Sequence, residues 1–270
     1  MNHNGVPFHV LVLGPFKRSD VVCTFSLDRM STNPETEQLI EQAWQTRLAL
    51  AEERGQSLFA GPMCRFEGWT VENGQLLVNF GLTDYREFVG TNIANPAIQS
   101  RFGEPFLANG TGVCSILLTS DNQIVIQRRS QSVFEHPGML NFCGGSLNPV
   151  ANDGNSRADP FEVMTVEFEE ELGIERSQIT EIRCLGLSRD AVTLKPDVLL
   201  LTAVMAPAAS ILSRVGEEHS ELIAIPNDPV SLHSWLGEHW NEIAPSGLAS
   251  MVAHIACMFA GGMASSWGNN

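Results

Sequence analysis

The chain of 270 residues is poor in charge, 17%, and poor in aromatics, 7%, with a single tyrosine. Low charge beside 43% hydrophobic residues excludes disorder of the weakly apolar, highly charged kind. The six cysteines (Cys23, Cys64, Cys114, Cys143, Cys184, Cys257) form no CxxC pair and no Cys/His cluster at zinc spacing. They read as reduced and mostly buried. Basic residues are scarce, 16 against 31 acidic, for a net charge of −15. Without a Lys/Arg stripe to neutralise a run of phosphates, nucleic acid and anionic membrane are disfavoured as partners. An anionic substrate then calls for a recruited cation, and a bound metal is the obvious one. A basic leader and a cleavage site are also lacking, and the first apolar run reads as a strand, so a cytoplasmic location is expected. The apolar stretch 248–264 is too short and too rich in Gly and Ser for a membrane span and reads as a core helix. Neither a GxSxG elbow nor an HExxH helix is present, and Gly110-Thr111-Gly112 lacks the third glycine of a dinucleotide loop, leaving an ordinary strand start.

What is there is a mixture of strand and helix signals. Apolar runs at 8–13 and 21–27 predict strands, and Asn33-Pro34 opens a helical pattern through Ile40, Ala43, Trp44, Leu48 and Ala51. Arms at 64–72 and 75–82 flank Asn73-Gly74, a two-residue hairpin signal. Thr83 or Asp84 is placed to cap a short helix broken by Gly90, and 92–109, with two prolines, forms the expected seam between an N-terminal α+β subdomain (1–108) and the rest (109–270). The later strands (112–118, 123–128, 182–187, 198–204, 221–225) alternate irregularly with helices, which implies α+β with a mixed sheet.

The most informative segment is 159–174. Asp159 suits an N-cap, Pro160 the first helical position, Glu162 a capping box and Gly173 a left-handed close. At about 100° per residue, Phe161, Met164, Phe168 and Leu172 share an apolar side. The same rotation brings Glu167, Glu170 and Glu171 into one arc beside it, while Glu162 and Glu169 point elsewhere. Like charges at i,i+3 and i,i+4 cost the helix roughly 0.5–1 kcal/mol in total. A hard divalent cation, magnesium or manganese, reverses that sign because it takes oxygen ligands.

The pattern Glu167-Phe168-x-Glu170-Glu171-x-Gly173-Ile174, preceded by a strand ending in Gly144-Gly145, resembles the box of the Nudix hydrolases, here 145–174. The resemblance implies a mixed β-sheet sandwiched between helices, hydrolysis of a nucleoside diphosphate derivative, and catalytic metal held by Glu167, Glu170 and Glu171. Two departures mark a divergent member. Val166 stands where the motif has Arg, and the spacing after Gly145 is exceeded by a loop at 148–158. The stretches 44–48, 58–62 and 81–92 are similar to the UDP-sugar pyrophosphatase subgroup, which implies a nucleoside diphosphate sugar (UDP-glucose or UDP-galactose) as substrate, cleaved to UMP and sugar 1-phosphate. Two other readings stay open: a Nudix pyrophosphatase for ADP-ribose, a dinucleotide or a coenzyme A species, and a non-catalytic nucleotide-binding module.

Within that frame, Arg128 and Arg129 are candidates for phosphate contact near the Gly144-Gly145 turn, and since adjacent strand residues face opposite ways only one is expected in the site. Tyr85, Arg86, Thr91 and Asn92 are candidates for the uridine, through stacking and donor–acceptor pairing. The resemblance also points to a further Glu in the cluster 217–221 as ligand or base, either Glu218 or Glu221.

Overall fold

Turn and capping residues divide the chain into thirteen strands and seven α-helices among the residues described by the computed structural model, 5–152, 155–214 and 219–262. They run β1 (Phe8–Lys17), β2 (Val21–Phe25), α1 (Pro34–Glu53), β3 (Pro62–Glu72), β4 (Gln75–Asp84), α2 (Tyr85–Phe88), a π turn (Val89–Ile93), α3 (Ile98–Phe102), β5 (Gly112–Leu118) and β6 (Gln123–Arg129). Then follow β7 (Leu140–Asn141), β8 (Cys143–Ser146), β9 (Val150–Asn152), β10 (Asn155–Arg157), α4 (Pro160–Leu172), β11 (Ile179–Asp190), β12 (Pro196–Val204), α5 (Ala208–Ile211), β13 (His219–Pro226), α6 (Pro229–His239) and α7 (Pro245–Gly262).

Local chemistry accounts for the ends. Asn33 caps α1 by accepting from Thr36 N, with Pro34 at the first turn, and Asp84 caps α2 through Glu87 N. Asn73 and Gly74 both take positive φ, 50° and 81°, as a tight hairpin turn requires. Gly90 does not break the helix as expected from sequence. It lies inside the π turn, where an added Cβ would fall 2.5 Å from Ile40 Cα, so its role is to let α1 approach. The loop at 148–158 holds the small β9–β10 hairpin.

The main sheet is mixed, in the order β1-β11-β12-β5-β6-β13, with β7 on β6 and β8 on β5. A second sheet, β2-β4-β3, belongs to the N-terminal half. β1 leaves that half to pair with β11, so the division at 108 sets off the small sheet and α1 rather than everything before it. β12 is apolar almost throughout because both its faces are covered. Val198 and Leu200 pack with Phe161, Met164 and Phe168 of α4 on one side. Leu199 and Leu201 pack with Leu248 and Met251 of α7 on the other. The stretch at 248–264 is thus a core helix over its described part, and no described helix is long and apolar enough to cross a membrane. Phe168 is fully buried; Phe168→Ala is expected to cost about 3–5 kcal/mol, read as a lower urea midpoint.

β5 meets β6 only at Leu117 and Leu118. Beyond them the strands part: β8 takes the edge of β5 (Gly112 opposite Ser146, Val113 opposite Gly145), while β7 takes that of β6. This fork lies beside α4.

Candidate active site

Asp159 accepts from the backbone N–H of Phe161 and Glu162, and Gly173 closes α4 at φ 57°. Arg214 satisfies the C-terminal carbonyls, with Nη1 donating to Leu172 O at 2.6 Å and Gly173 O at 2.7 Å. Glu162 does not build the expected capping box; it pairs with Arg176. Because the Phe161–Leu172 stripe faces the sheet, Glu167 and Glu171 are turned towards β8. Gly145 has no side chain there, and a Cβ on it would meet Glu167 Oε1 at 2.1 Å. The Cys143 thiol donates to Glu171 Oε2 at 3.6 Å. Burial, then Glu171, then Glu167 hold that thiol well above its ordinary pKa, so it stays protonated.

Glu170 stands at the outer side of the arc, exposed and with no partner among the described residues. No three His, Cys, Asp or Glu side chains among the described residues are already gathered around a point that could hold an ion. The donor set nevertheless fits a hard divalent cation. It offers carboxylate oxygens from a single helical turn, one of them laid over a bare glycine, and its third member is an exposed side chain able to change rotamer.

A cavity of about 320 Å³ opens at the fork, lined among others by Gly144, Gly145, Glu167, Arg129, Lys195 and Asp197. Arg129 Nε donates to Glu135 O at 3.0 Å. Lys195 Nζ is paired with Glu135 Oε2 at 3.0 Å; burial works against the ammonium, but Glu135 and Asp197 outweigh it and leave its pKa above the ordinary value. A second cavity, about 330 Å³, shares Arg129 and Glu135 with the first and is lined by Tyr85, Phe134 and Gln56.

The sequence candidates are therefore distributed as follows. Gly144, Gly145, Glu167 and Arg129 line the first cavity and Tyr85 the second. Arg128 faces away, as strand alternation requires, bonded to Glu221 at 3.1 Å and Glu242 at 3.4 Å, so Arg128 and Glu221 occupy each other outside the cavity. Arg86 pairs with Glu41 at 2.8 Å. Thr91 and Asn92 are 0% exposed and bond within the protein: Thr91 Oγ1 donates to Glu87 O, Asn92 Nδ2 donates to Thr193 O, and Asn92 Oδ1 accepts from Asn109 N. They knit the seam to the β11–β12 turn and have no surface left for a ligand. Glu218 lies outside the described residues. Sequence reasoning missed Glu135, Lys195 and Asp197; the signal available was two opposite charges bracketing Pro196 at the head of an apolar strand.

No protein-family profile matches the chain. It is 28% identical over 237 residues to Nudix hydrolase 9 of Arabidopsis thaliana, a match covering 73% of this chain and 74% of that protein. Over most of its length the chain is thus similar to a Nudix hydrolase. The uridine diphosphate glucose pyrophosphatases NUDT22 of Mus musculus and Homo sapiens are 34% and 35% identical over 130 and 132 residues, each match covering 44% of this chain. The match spans 41% and 42% of those two relatives' own lengths. Among solved structures, a MutT protein from Methanosarcina mazei Go1 aligns with 55% of this chain and 94% of its own at a TM-score of 0.40 and 19% identity. A C. elegans Ap4A hydrolase aligns with 55% and 96% at 0.37 and 14%. Nudix hydrolases generally use divalent metals, in keeping with the carboxylates on α4.

Proposed function

We propose that the chain is a Nudix hydrolase that cleaves the pyrophosphate bond of a UDP-sugar, UDP-glucose or UDP-galactose, giving UMP and sugar 1-phosphate. The observation that carries the reading is the meeting, in a single cavity, of a helix-borne carboxylate (Glu167) laid over a bare glycine strand and a guanidinium (Arg129) with unengaged N–H groups. Similarity to the mouse and human uridine diphosphate glucose pyrophosphatases supplies the uridine and the sugar.

Glu167, Glu170 and Glu171 would hold magnesium or manganese, which when bound neutralises phosphate charge and lowers the pKa of water. The chain's own residues do the rest. Arg129 pairs with phosphate oxygens in the bidentate manner of a guanidinium. The lack of a side chain at Gly145 lets Glu167 lie against the strand beside the diphosphate, and that at Gly144 lets β8 close on Val113 of β5. Tyr85, one wall of the adjoining cavity and edge-on to Trp44 at 6.3 Å, would stack on the uracil.

The test is a magnesium-supplemented panel of UDP-glucose, UDP-galactose, ADP-ribose, a dinucleotide and coenzyme A, with nucleotide products separated chromatographically. UMP from the UDP-sugars is the expected result; hydrolysis confined to another compound moves the enzyme to that substrate, and tight UDP binding without any turnover makes it a binding module. On UDP-glucose, Arg129→Ala is expected to raise KM by about tenfold or more, the loss of a charge-assisted pair. Arg128→Ala, outside the cavity, should leave KM within about twofold.

A further inference from the structure

Asp197 is 5% exposed, lines the first cavity and makes no hydrogen bond among the described residues, while the cation facing it, Lys195, is bonded to Glu135. A buried carboxylate of this kind is expensive to keep unless something in the cavity uses it. Its position is built. Gly112, the neighbour of Asp197 across the parallel β5–β12 pair, has no side chain, and a Cβ there would meet Asp197 Oδ1 at 2.1 Å and Lys195 Nζ at 3.2 Å. Leu194 takes a left-handed φ of 59°, and Asp190 Oδ1 accepts from Val192 N and Thr193 N at 2.7 Å each, so the turn before β12 is fixed with Lys195 directed inward.

Charge decides what this corner takes. Lys195 is already engaged by Glu135 at 3.0 Å, so Glu135, Lys195 and Asp197 together carry one net negative charge. A phosphate is repelled there and goes to Arg129, whose guanidinium donates to a carbonyl and not to a carboxylate. A nucleobase is better served by the adjoining cavity, where Tyr85 and Phe134 supply two six-membered ring faces against the single imidazole, His136, of the first. What remains is a group rich in hydroxyls: an ammonium donates to it, and a carboxylate accepts from it, often two hydroxyls at once.

We propose that Asp197 and Lys195, laid side by side over Gly112, form the subsite for the hydroxyl-bearing sugar on the distal phosphate, with Asp197 its specificity-determining acceptor. The inference rests on the reading of the substrate as a nucleoside diphosphate sugar. Burial, only partly opposed by Lys195, raises the Asp197 carboxyl to about 6, so at neutral pH it is ionised and ready to accept.

The experiment is calorimetric and metal-free, so that it does not depend on turnover. Affinities of UDP-glucose and UDP, and separately of ADP-ribose and ADP, are measured for the full chain and for Asp197→Ala, with Asp197→Asn as an isosteric variant that keeps the fold filled. The full chain should bind each sugar-bearing compound more tightly than its parent diphosphate, and Asp197→Ala should cut that advantage by about tenfold, with Asp197→Asn between the two. Parent diphosphate affinity should stay within about twofold, since Arg129 is untouched. Equal losses for UDP and UDP-glucose, an unchanged ratio, or no preference for the sugar in the full chain would overturn the subsite. Should the ADP pair respond while the UDP pair does not bind, the uridine reading falls and the sugar subsite stands.

Discussion

Glu167→Gln is expected to lower kcat on UDP-glucose by about 10²–10³-fold at saturating magnesium, the loss of several kcal/mol of metal-mediated charge stabilisation. The amide keeps the shape that fits over Gly145 and removes only the charge, so the thermal midpoint should barely move. Glu170→Gln is expected to behave alike although Glu170 is exposed, because an ion held by the other two carboxylates would draw the third inward. Glu169→Gln, one residue away and also exposed, serves as the contrast: it points elsewhere on the helix and should retain activity. Gly145→Ala gives an independent check. The new methyl would fall 2.1 Å from Glu167 Oε1, so the carboxylate must move, and activity should drop without any change of charge. Full turnover in Glu167→Gln and Gly145→Ala together would remove α4 from the chemistry.

The second large effect is on stability against pH, where two buried groups act with opposite sign. Burial raises Asp197 from 3.8 to about 6; Lys195 pulls it back, while Glu135 and Asp190 add to the rise. The folded state therefore holds a proton that the unfolded chain has lost, and this contribution to stability falls as pH rises from about 4 to about 6 and is flat above. His254 is the reverse. Burial lowers it from 6.5 to about 4, and its Nε2 lies 2.8 Å from Asn227 Oδ1, to which the neutral ring donates. Its contribution is lost as pH falls from 6.5 to 4. Each is on the order of 3 kcal/mol, a shift of about two units, so over this window they nearly cancel. Asp197→Asn should then be more stable than the parent by on the order of 3 kcal/mol above pH 6, with the difference vanishing near pH 4. Urea midpoints at pH 7.5, 6, 5 and 4 measure it; a variant no more stable at pH 7.5 would mean that the ionised carboxylate costs nothing. Added stability with loss of sugar preference is the exchange expected of a functional residue held against its solvation.

The acidic helix was legible because every signal for it is local: the cap at Asp159, the proline, the apolar stripe and the left-handed glycine sit within fifteen residues of one another, and 3.6-residue periodicity does the rest. Strand alternation likewise separated Arg129 from Arg128. Thr91 and Asn92 show the opposite. Their donors and acceptors suit a uracil edge, yet the partners that use them, Asn109 and Thr193, lie far along the chain, and no pattern in 81–92 reveals that the π turn is buried. Gly90 is similar: its glycine answers to Ile40, across the contact between helices.

By itself, then, the sequence determined the mixed α+β class, the three carboxylates on one turn, the reduced thiols and the likeness to Nudix hydrolases, since each is written in neighbouring residues or in composition. Only the tertiary structure decided which polar residues face a ligand. The parting of β5 from β6 opens the cavity, and the crossing of β12 beside Gly112 brings Lys195 and Asp197 to Glu135 and Arg129. The physical reason is that a helix fixes side-chain direction over a few residues. The occupancy of a charged group by a partner, by contrast, depends on strands whose pairing is set by the burial of two whole sheet faces.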